Sequence, residues 1–453
     1  MNASLDIPYW LAIPLFILAM VALLDRLLLP PVRWFLRRRM NRVIDGLNDR
    51  LHLGIQPFKL TRRKIMVDRL IHDPKVMEAV VDHAKSENIP QEVAHDTAER
   101  YAKEIVPSFS ALTYFGFGTK AARFISNALF RVRLGFMSDE ALRDIASDTT
   151  VIFVMNHRSN MDYVLVTFLA AERSALSYAV GEWARVWPLQ QIIRSMGAYF
   201  IRRKSRNPLY RRVLARYVQL ATEGGVTQAI FPEGGLSRDG KLAEPKLGLL
   251  SYILGDFRPD ISRDVVFIPV GLNYDRVLED RVLTSPPDQK TSFSPMVFFQ
   301  FMAKQLWLRV TGKFYRFGYA CVSFGRPISL KAYLQDNPIN DQTIADLGSE
   351  LMTRIGRVIP VLPVSLVARV LLQADAPMSL LEIKAKCHSI WQELSERDIY
   401  SHLPHEDEDY AVDVGLRMLT LRKFVILDEG KYGVNSADSV IVEYYANAIS
   451  HHF

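Results

Sequence analysis

Cysteine is nearly absent: Cys321 and Cys387 are the only two in 453 residues. Neither a disulfide framework nor a thiolate zinc site can be built from them, which places the working mass of the chain in a reducing compartment. A G-x-S-x-G elbow, an H-E-x-x-H zinc helix and a reactive-cysteine setting are missing too. No covalent protein nucleophile therefore announces itself. There is no internal repeat, and Gly and Pro, at 23 each, are too few for collagen-like or low-complexity sequence. Charge is missing from residues 7–24, and acids are missing from residues 194–222.

What is present is a globular balance, 49% hydrophobic and 23% charged. That excludes a disordered chain and a polytopic transporter. At roughly 150 residues per domain, the length predicts two or three units. The net charge of +7 fits nucleic acid, an anionic membrane surface or phosphorylated substrates.

Residues 7–24 (IPYWLAIPLFILAMVALL) reach the lower limit for a bilayer-spanning helix, about 20 residues. Arg33, Arg37, Arg38, Arg39 and Arg42 follow, while only Asp6 is charged before the run. By the positive-inside rule the chain beyond residue 30 is cytoplasmic. A cleaved signal peptide would need basic residues before the run and a small-residue cleavage site after it. The expectation is an anchor at residues 1–34.

Residues 35–140 read as helical, with three- and four-residue apolar spacing at 63–70, 75–86 and 91–105. Gly116 to Ala121 superficially matches a dinucleotide fingerprint but lacks a preceding strand, and reads as a bend between helices. From residue 150, short β-rich runs at 151–155, 176–180, 198–201, 227–231 and 265–270 alternate with helical stretches at 161–171, 183–195, 208–222 and 247–254. Such alternation predicts an α/β domain, here 141–335, with a mostly parallel sheet flanked by helices. A last strand pair is expected at 320–324 and Ile328. Residues 336–453 read as a C-terminal α-rich extension with a hairpin at 425–428 and 432–434.

In a parallel sheet, ligands gather at the carboxyl ends of the strands. Those ends carry the polar residues: Asn156-His157-Arg158-Ser159-Asn160-Met161-Asp162, then Arg202-Arg203-Lys204, then Pro232-Glu233-Gly234-Gly235-Leu236-Ser237-Arg238-Asp239-Gly240-Lys241, then Gly271-Leu272-Asn273-Tyr274. On one helix His157 and Asp162 would point about 140° apart. They meet only if His157 lies in the loop and Asp162 in the first helical turn. A carboxylate on the far ring nitrogen fixes the imidazole tautomer and lets the near one take a proton from a hydroxyl. The alternative is a structural His beside a capping Asp. Arg202, Arg203 and Arg238 suit phosphate, whereas Arg206 to Arg216 read as a solvated basic helix face that touches anionic lipid. Glu233, before two glycines, either binds a substrate hydroxyl, holds an arginine, or sits in a tight exposed turn.

These four blocks, in this order, resemble those of the H-x4-D glycerolipid acyltransferases. The second is Gly197-Ala198-Tyr199-Phe200-Ile201-Arg202-Arg203, and the fourth is Ile268-Pro269-Val270 with Tyr274-Asp275-Arg276-Val277. Asp73-Pro74, Leu362-Pro363 and Tyr444-Tyr445-Ala446-Asn447 make the chain similar to glycerol-3-phosphate acyltransferases of the bacterial and mitochondrial type. The resemblance covers most of 60–453. It implies the glycerolipid acyltransferase fold and transfer of an acyl group from acyl-CoA or acyl carrier protein to glycerol 3-phosphate. It also implies no metal or redox cofactor, a phospholipid bilayer as partner rather than nucleic acid, and a site at the inner cell membrane facing the cytoplasm. It assigns His157 as general base and Asp162 as its orienter. Arg202, Arg203, Glu233, Gly234, Ser237 and Arg238 would bind the acceptor, with Lys241 in support, and Pro269 would shape the acyl side. Leu236 stands where the family usually has an arginine. That departure keeps a lysophosphatidate acceptor open as the alternative, and a non-catalytic lipid-binding homologue is the reading from another class.

Overall fold

The computed structural model describes residues 55–453 other than 138–143, 171–174, 188, 203–204, 287–306, 308–310, 312–315 and 336. The apolar run at 7–24, the arginines behind it, Arg203 and Lys204 lie outside the described residues. Among the described residues no helix is long and apolar enough to cross a membrane. The chain divides into Met1–Ile55 and Gln56–Phe453, and all that follows concerns the second unit.

After a single helical turn at Pro57–Leu60 come α1 (Arg63–Ile71), α2 (Pro74–Ser86) and α3 (Gln91–Ile105). Asp73 caps α2 by accepting from the Lys75 amide at 3.0 Å, and Pro74 takes the first helical position, where a missing N–H costs nothing. On α3 the buried stripe is Ala94, Ala98, Ala102 and Ile105, a four-residue spacing of small side chains that lets neighbours pack closely. The Gly116 region is not a bend. A π-helical segment, Leu112–Gly118, runs in helical geometry straight into α4 (Thr119–Leu129).

The main sheet is built from β1 (Arg131–Met137), β2 (Thr150–Met155), β3 (Ser177–Gly181), β4 (Tyr199–Ile201), β5 (Gln228–Ile230), β6 (Val265–Tyr274), β7 (Tyr319–Phe324) and β8 (Ile328–Ser329). Its order is β1-β7-β6-β2-β5-β3-β4, with β8 beside β6. The five strands from β6 to β4 are parallel, while β7 and β8 run antiparallel to β6. This is the expected mostly parallel sheet. The reading of 35–140 as wholly helical missed β1, which pairs in parallel with β7.

Strands β2 and β6 are buried on both faces and so read as continuous apolar runs rather than alternating ones. Pro269 sits inside β6, in the gap between the β8 pairing at Val266 and Phe267 and the β7 pairing that begins at Val270. Its missing N–H therefore breaks no ladder on that edge.

The helices α5 (Met161–Ala170), α6 (Leu189–Ser195), α7 (Pro208–Glu223) and α8 (Gly248–Leu254) separate the parallel strands. Asn207 caps α7 at the Tyr210 amide, 3.0 Å away, and Leu209, Val213, Tyr217 and Leu220 are among the residues it buries. The solvated basic face expected for Arg206 to Arg216 does not extend to Arg216. Its guanidinium reaches Asp73 at 2.6 Å, Glu223 at 3.0 Å and Asp256 at 3.2 Å, which ties α7 to the opening helices.

Beyond the sheet lie α9 (Asp341–Val358), α10 (Pro363–Leu372), α11 (Leu380–Glu396), α12 (Glu408–Leu421) and α13 (Ser439–Asn447), with a small antiparallel sheet of β9 (Met378–Ser379), β10 (Val425–Asp428) and β11 (Lys431–Val434). A capping box between Ser379 and Glu382 starts α11. Helix α10 is a core helix with eight buried residues.

Candidate functional site

The loop after β2 turns into α5 within five residues, and the turn is fixed by side chains. Asn156 pairs with β6 as if it were one more strand residue: its Nδ2 donates to the Leu272 carbonyl at 2.9 Å, and its Oδ1 accepts from the Leu272 amide at 2.8 Å. Asp162 stands in the first turn of α5, and the Arg158 and Ser159 amides donate to its Oδ2 at 2.8 and 3.1 Å. The Ser159 hydroxyl accepts from the Met161 amide and donates to Glu279. This is the loop-then-helix geometry that a five-residue spacing requires.

His157 and Asp162 meet. Nδ1 of His157 lies 2.9 Å from Asp162 Oδ2, and both side chains are closed to solvent, 1% and 0% exposed. Oδ1 of the same carboxylate accepts from the Tyr274 hydroxyl at 2.7 Å. Burial, with the Asp162 charge next, pushes the Tyr274 hydroxyl well above its usual range, so it remains a donor. Two amides, a phenol and an imidazole N–H thus converge on one carboxylate. That acceptor assigns the proton of His157 to Nδ1 and makes Nε2 the basic atom. The ring is stacked on Phe231 at 4.1 Å between centroids and meets the edge of Tyr163 at 5.5 Å.

The loop after β5 clamps the loop after β2. Glu233 Oε1 accepts from the His157 amide at 2.7 Å, and Oε2 accepts from the Ala243 amide at 3.3 Å. Burial pushes its carboxyl up to about 7. Both oxygens face backbone and the residue is buried, so the tight exposed turn is ruled out. The Ser237 amide donates to the His157 carbonyl at 3.0 Å. The Ser237 hydroxyl accepts from the Gly240 amide and donates to the Lys241 carbonyl. Gly234 has φ +70°, and a Cβ there would lie 2.6 Å from the Lys246 side chain, so the turn requires glycine. Arg238 and Lys241 are exposed on this loop.

Arg202 is engaged elsewhere. Its Nε and Nη2 fork onto Glu104 of α3 at 2.8 and 2.6 Å, and its guanidinium lies over the Tyr101 and Tyr210 rings. Arg185 shares Glu104. A phosphate bound by Arg202 would have to compete with that carboxylate. The physical reason is topology: β4 is the edge strand, three strand spacings or about 14 Å from β2. Pro269 is buried beside Val154.

Sequence reasoning missed three participants. Tyr274 was visible only as part of the fourth block, and nothing local indicated that its hydroxyl reaches Asp162, 112 residues away. Glu279 gave no signal at all. It is buried and takes the Ser159 hydroxyl at 2.7 Å and the Asn160 side-chain amide at 3.1 Å, which holds the loop from its outer side. Arg158 lies buried over the Tyr444 ring at 4.7 Å and donates to the Gly240 carbonyl.

An apolar cavity of about 190 Å³ opens behind Phe231, lined among others by Val154, Ile201, Ile230, Leu250 and Leu351. No thiol is available for covalent catalysis: burial pushes Cys321 and Cys387 up to about 12. Among the described residues no cluster of three or more His, Cys, Asp or Glu side chains is placed to hold a metal ion. What the site can do is take a proton from a hydroxyl in a dry environment.

Residues 137–273 match the acyltransferase family model, and residues 306–453 match that of the glycerol-3-phosphate acyltransferase C-terminal region. The chain is 29% identical over 422 residues to a glycerol-3-phosphate acyltransferase of Aeromonas hydrophila, covering 87% of this chain and 50% of the relative. The same-named protein of Pseudomonas aeruginosa is 28% identical over 447 residues, 92% of this chain and 51% of its own. That of Pseudomonas paraeruginosa is 32% identical over 319 residues, 69% and 37%. The chain thus spans about half or less of the length of these relatives. Among solved structures, a 1-acyl-sn-glycerophosphate acyltransferase from Thermotoga maritima is 19% identical, with a TM-score of 0.32 over 53% of this chain and 75% of that one.

Proposed function

We propose, from the membership of this chain in the glycerol-3-phosphate acyltransferase family, that it moves an acyl group from a thioester to a hydroxyl of glycerol 3-phosphate. The observation that carries the reading is the buried His157–Asp162 pair with Nε2 as its basic atom, set in a site with no protein thiol to act as nucleophile. Nε2 takes the proton of the acceptor hydroxyl. The oxygen attacks the thioester carbonyl, the C–O bond forms, the C–S bond breaks, and the departing sulfur receives the proton from the imidazolium. Asp162 stabilises that imidazolium and Tyr274 holds Asp162. A dry site protects the thioester from water.

Arg238 and Lys241 are the exposed cations on the loop that Ser237 ties to His157, and they are assigned to the acceptor phosphate. The cavity behind Phe231 takes the proximal part of the acyl chain. Residues 7–24 anchor the chain in the cell membrane, with the arginines that follow on the cytoplasmic face. Leu236 favours a second acceptor, lysophosphatidate, since it replaces an arginine that a small phosphorylated alcohol would use.

The test is acylation by the purified full chain with a labelled thioester and either acceptor. Turnover is expected with glycerol 3-phosphate and is expected to vanish in His157→Ala with the circular dichroism spectrum unchanged. Acylation of neither acceptor overturns the reading.

A further inference from the structure

The loop after β5 is fastened to the backbone of His157 at two points. The Glu233 carboxylate accepts from the His157 amide at 2.7 Å, and the Ser237 amide donates to the His157 carbonyl at 3.0 Å. The chain enters this loop at the imidazole itself, since Phe231 stacks on that ring at 4.1 Å between centroids. Only Gly234, Gly235 and Leu236 lie between the two fastenings. A chain reaches at most about 3.6 Å per residue, so this tip is held in the neighbourhood of His157.

The amides of the tip are used unequally. That of Gly234 donates to the Phe231 carbonyl at 3.0 Å and closes the turn. The Gly234 φ of +70° reverses the chain there, and a turn through a left-handed residue is one of the conformations in which successive amides line a concavity for an anion. The next two amides, those of Gly235 and Leu236, have no hydrogen-bond partner among the described residues. Both residues are half-buried, and backbone donors withdrawn from water are nearly always paired. Two neighbouring donors are thus left over beside the general base.

The tip carries no charge of its own. Leu236 is apolar, and the first cations along the loop, Arg238 and Lys241, are exposed beyond Ser237. A phosphate calls for those cations. An oxygen that becomes negative only during the reaction is suited by fixed amides, which need no reorganisation as the charge develops. In the proposed transfer the acceptor oxygen bonds to the thioester carbonyl carbon, and the carbonyl π pair moves onto the carbonyl oxygen. The pair returns to carbon as the C–S bond breaks, and the departing sulfur takes the proton held by His157. We infer that the Gly235 and Leu236 amides hold the oxyanion that exists between those two events. The inference rests on the acyltransfer reading. Position 236 then contributes a backbone N–H, which every residue except proline supplies.

Removal of the N–H at 236 tests it. Leu236→Ala keeps the donor and Leu236→Pro deletes it. Replacement of Leu236 by its α-hydroxy acid deletes it as well, turning one peptide bond into an ester without the restriction that proline places on φ. Steady-state kinetics of the full chain are compared for acyl-CoA with glycerol 3-phosphate and with lysophosphatidate, and thermal midpoints are taken on the same samples. The alanine variant is expected to keep the wild-type kcat. The ester variant is expected to lose about a hundredfold in kcat, the effect of one oxyanion donor, with KM for both substrates unchanged. Leu236→Pro is expected to follow it, and the ester variant decides the matter if proline lowers the thermal midpoint. A wild-type kcat in the ester variant overturns the inference. A raised KM for the acceptor at wild-type kcat makes the tip a phosphate site and overturns it too. An equal loss of kcat in the alanine variant assigns the effect to the side chain, with the same consequence. If the wild-type chain acylates neither acceptor, the function reading fails and takes the inference with it, an outcome that the wild-type control separates from the others.

Discussion

Tyr274→Phe removes one atom from the site and leaves the ring. The phenol oxygen donates to Asp162 Oδ1 at 2.7 Å, whereas His157, Arg158 and Ser159 all donate to Oδ2. Without that hydroxyl, Oδ1 of a carboxylate with no solvent exposure loses its donor. A hydrogen bond to a charged group contributes about 1.5–3 kcal/mol. If the loss is felt mainly when His157 is protonated in the transition state, each 1.36 kcal/mol is a factor of ten in rate. The expected fall in kcat is therefore roughly ten- to two-hundredfold, with KM for both substrates little changed. Steady-state turnover and a denaturant melt should be measured on the same preparation. A stability loss of about 1–3 kcal/mol with wild-type kcat would show that Tyr274 supports the fold and not the proton transfer. That result would refute the reasoning.

Glu233 has an ordinary value of 4.5 and is pushed up to about 7 in the fold. Folding therefore favours its neutral form, so its contribution is full below about pH 4.5. Roughly 3 kcal/mol is lost as pH rises towards 7. In Glu233→Gln the fall in urea midpoint between pH 4.5 and 7 should be shallower than in wild type, and parallel slopes would contradict the assignment. Arg202→Ala and Glu104→Gln should each destabilise, and a double-mutant cycle should give a coupling of about 0.5–3 kcal/mol. Strict additivity, with a raised KM for the acceptor in Arg202→Ala alone, would return Arg202 to phosphate binding. Gly240 has φ +85°, and a Cβ there would lie 2.0 Å from the Tyr444 carbonyl oxygen. Gly240→Ala should cost about 1–3 kcal/mol for the backbone alone and more for the clash, and an unchanged melting temperature would argue against it.

Much of the sheet was legible because parallel strands buried on both faces leave unbroken apolar runs. The 151–155 and 265–270 runs are the cores of β2 and β6. The helix starts at Asp73-Pro74 and Asn207-Pro208 were legible from capping chemistry. Strand β1 was not. It is exposed or half-buried along its whole length, carries Arg131 and Arg133, and is separated from the end of α4 by one residue. The meeting of His157 and Asp162 was legible as one option, because a loop followed by a helix start is the geometry in which a five-residue spacing brings them together. Their supports were not, since Glu279 and Tyr274 lie over a hundred residues further along the chain. Arg202 shows where the strand-end rule is too coarse: it places a residue at the correct end of the sheet without saying how far along the sheet.

The loops that form the site are not supported by the sheet alone. Each leaves a different strand, and each is gripped from outside by the C-terminal helices. Arg422 of the α12 cap forks onto Asp280, and the Tyr445 hydroxyl donates to the same carboxylate while accepting the Val277 amide at 3.0 Å. The fourth block is thus anchored to α12 and α13. Tyr444 carries the Arg158 guanidinium on its ring, and its carbonyl presses against Gly240. Asn447 donates to the Asp239 carbonyl at 2.9 Å. One turn of α13 therefore touches the loops after β2, β5 and β6, and these are the loops that bring His157, Glu233 and Glu279 together. A carboxylate closed to solvent needs its donors held in place, because any loop that drifted would leave a buried charge with too few partners. Through these contacts the C-terminal helices fix the geometry around the His157–Asp162 pair, which they do not themselves contain.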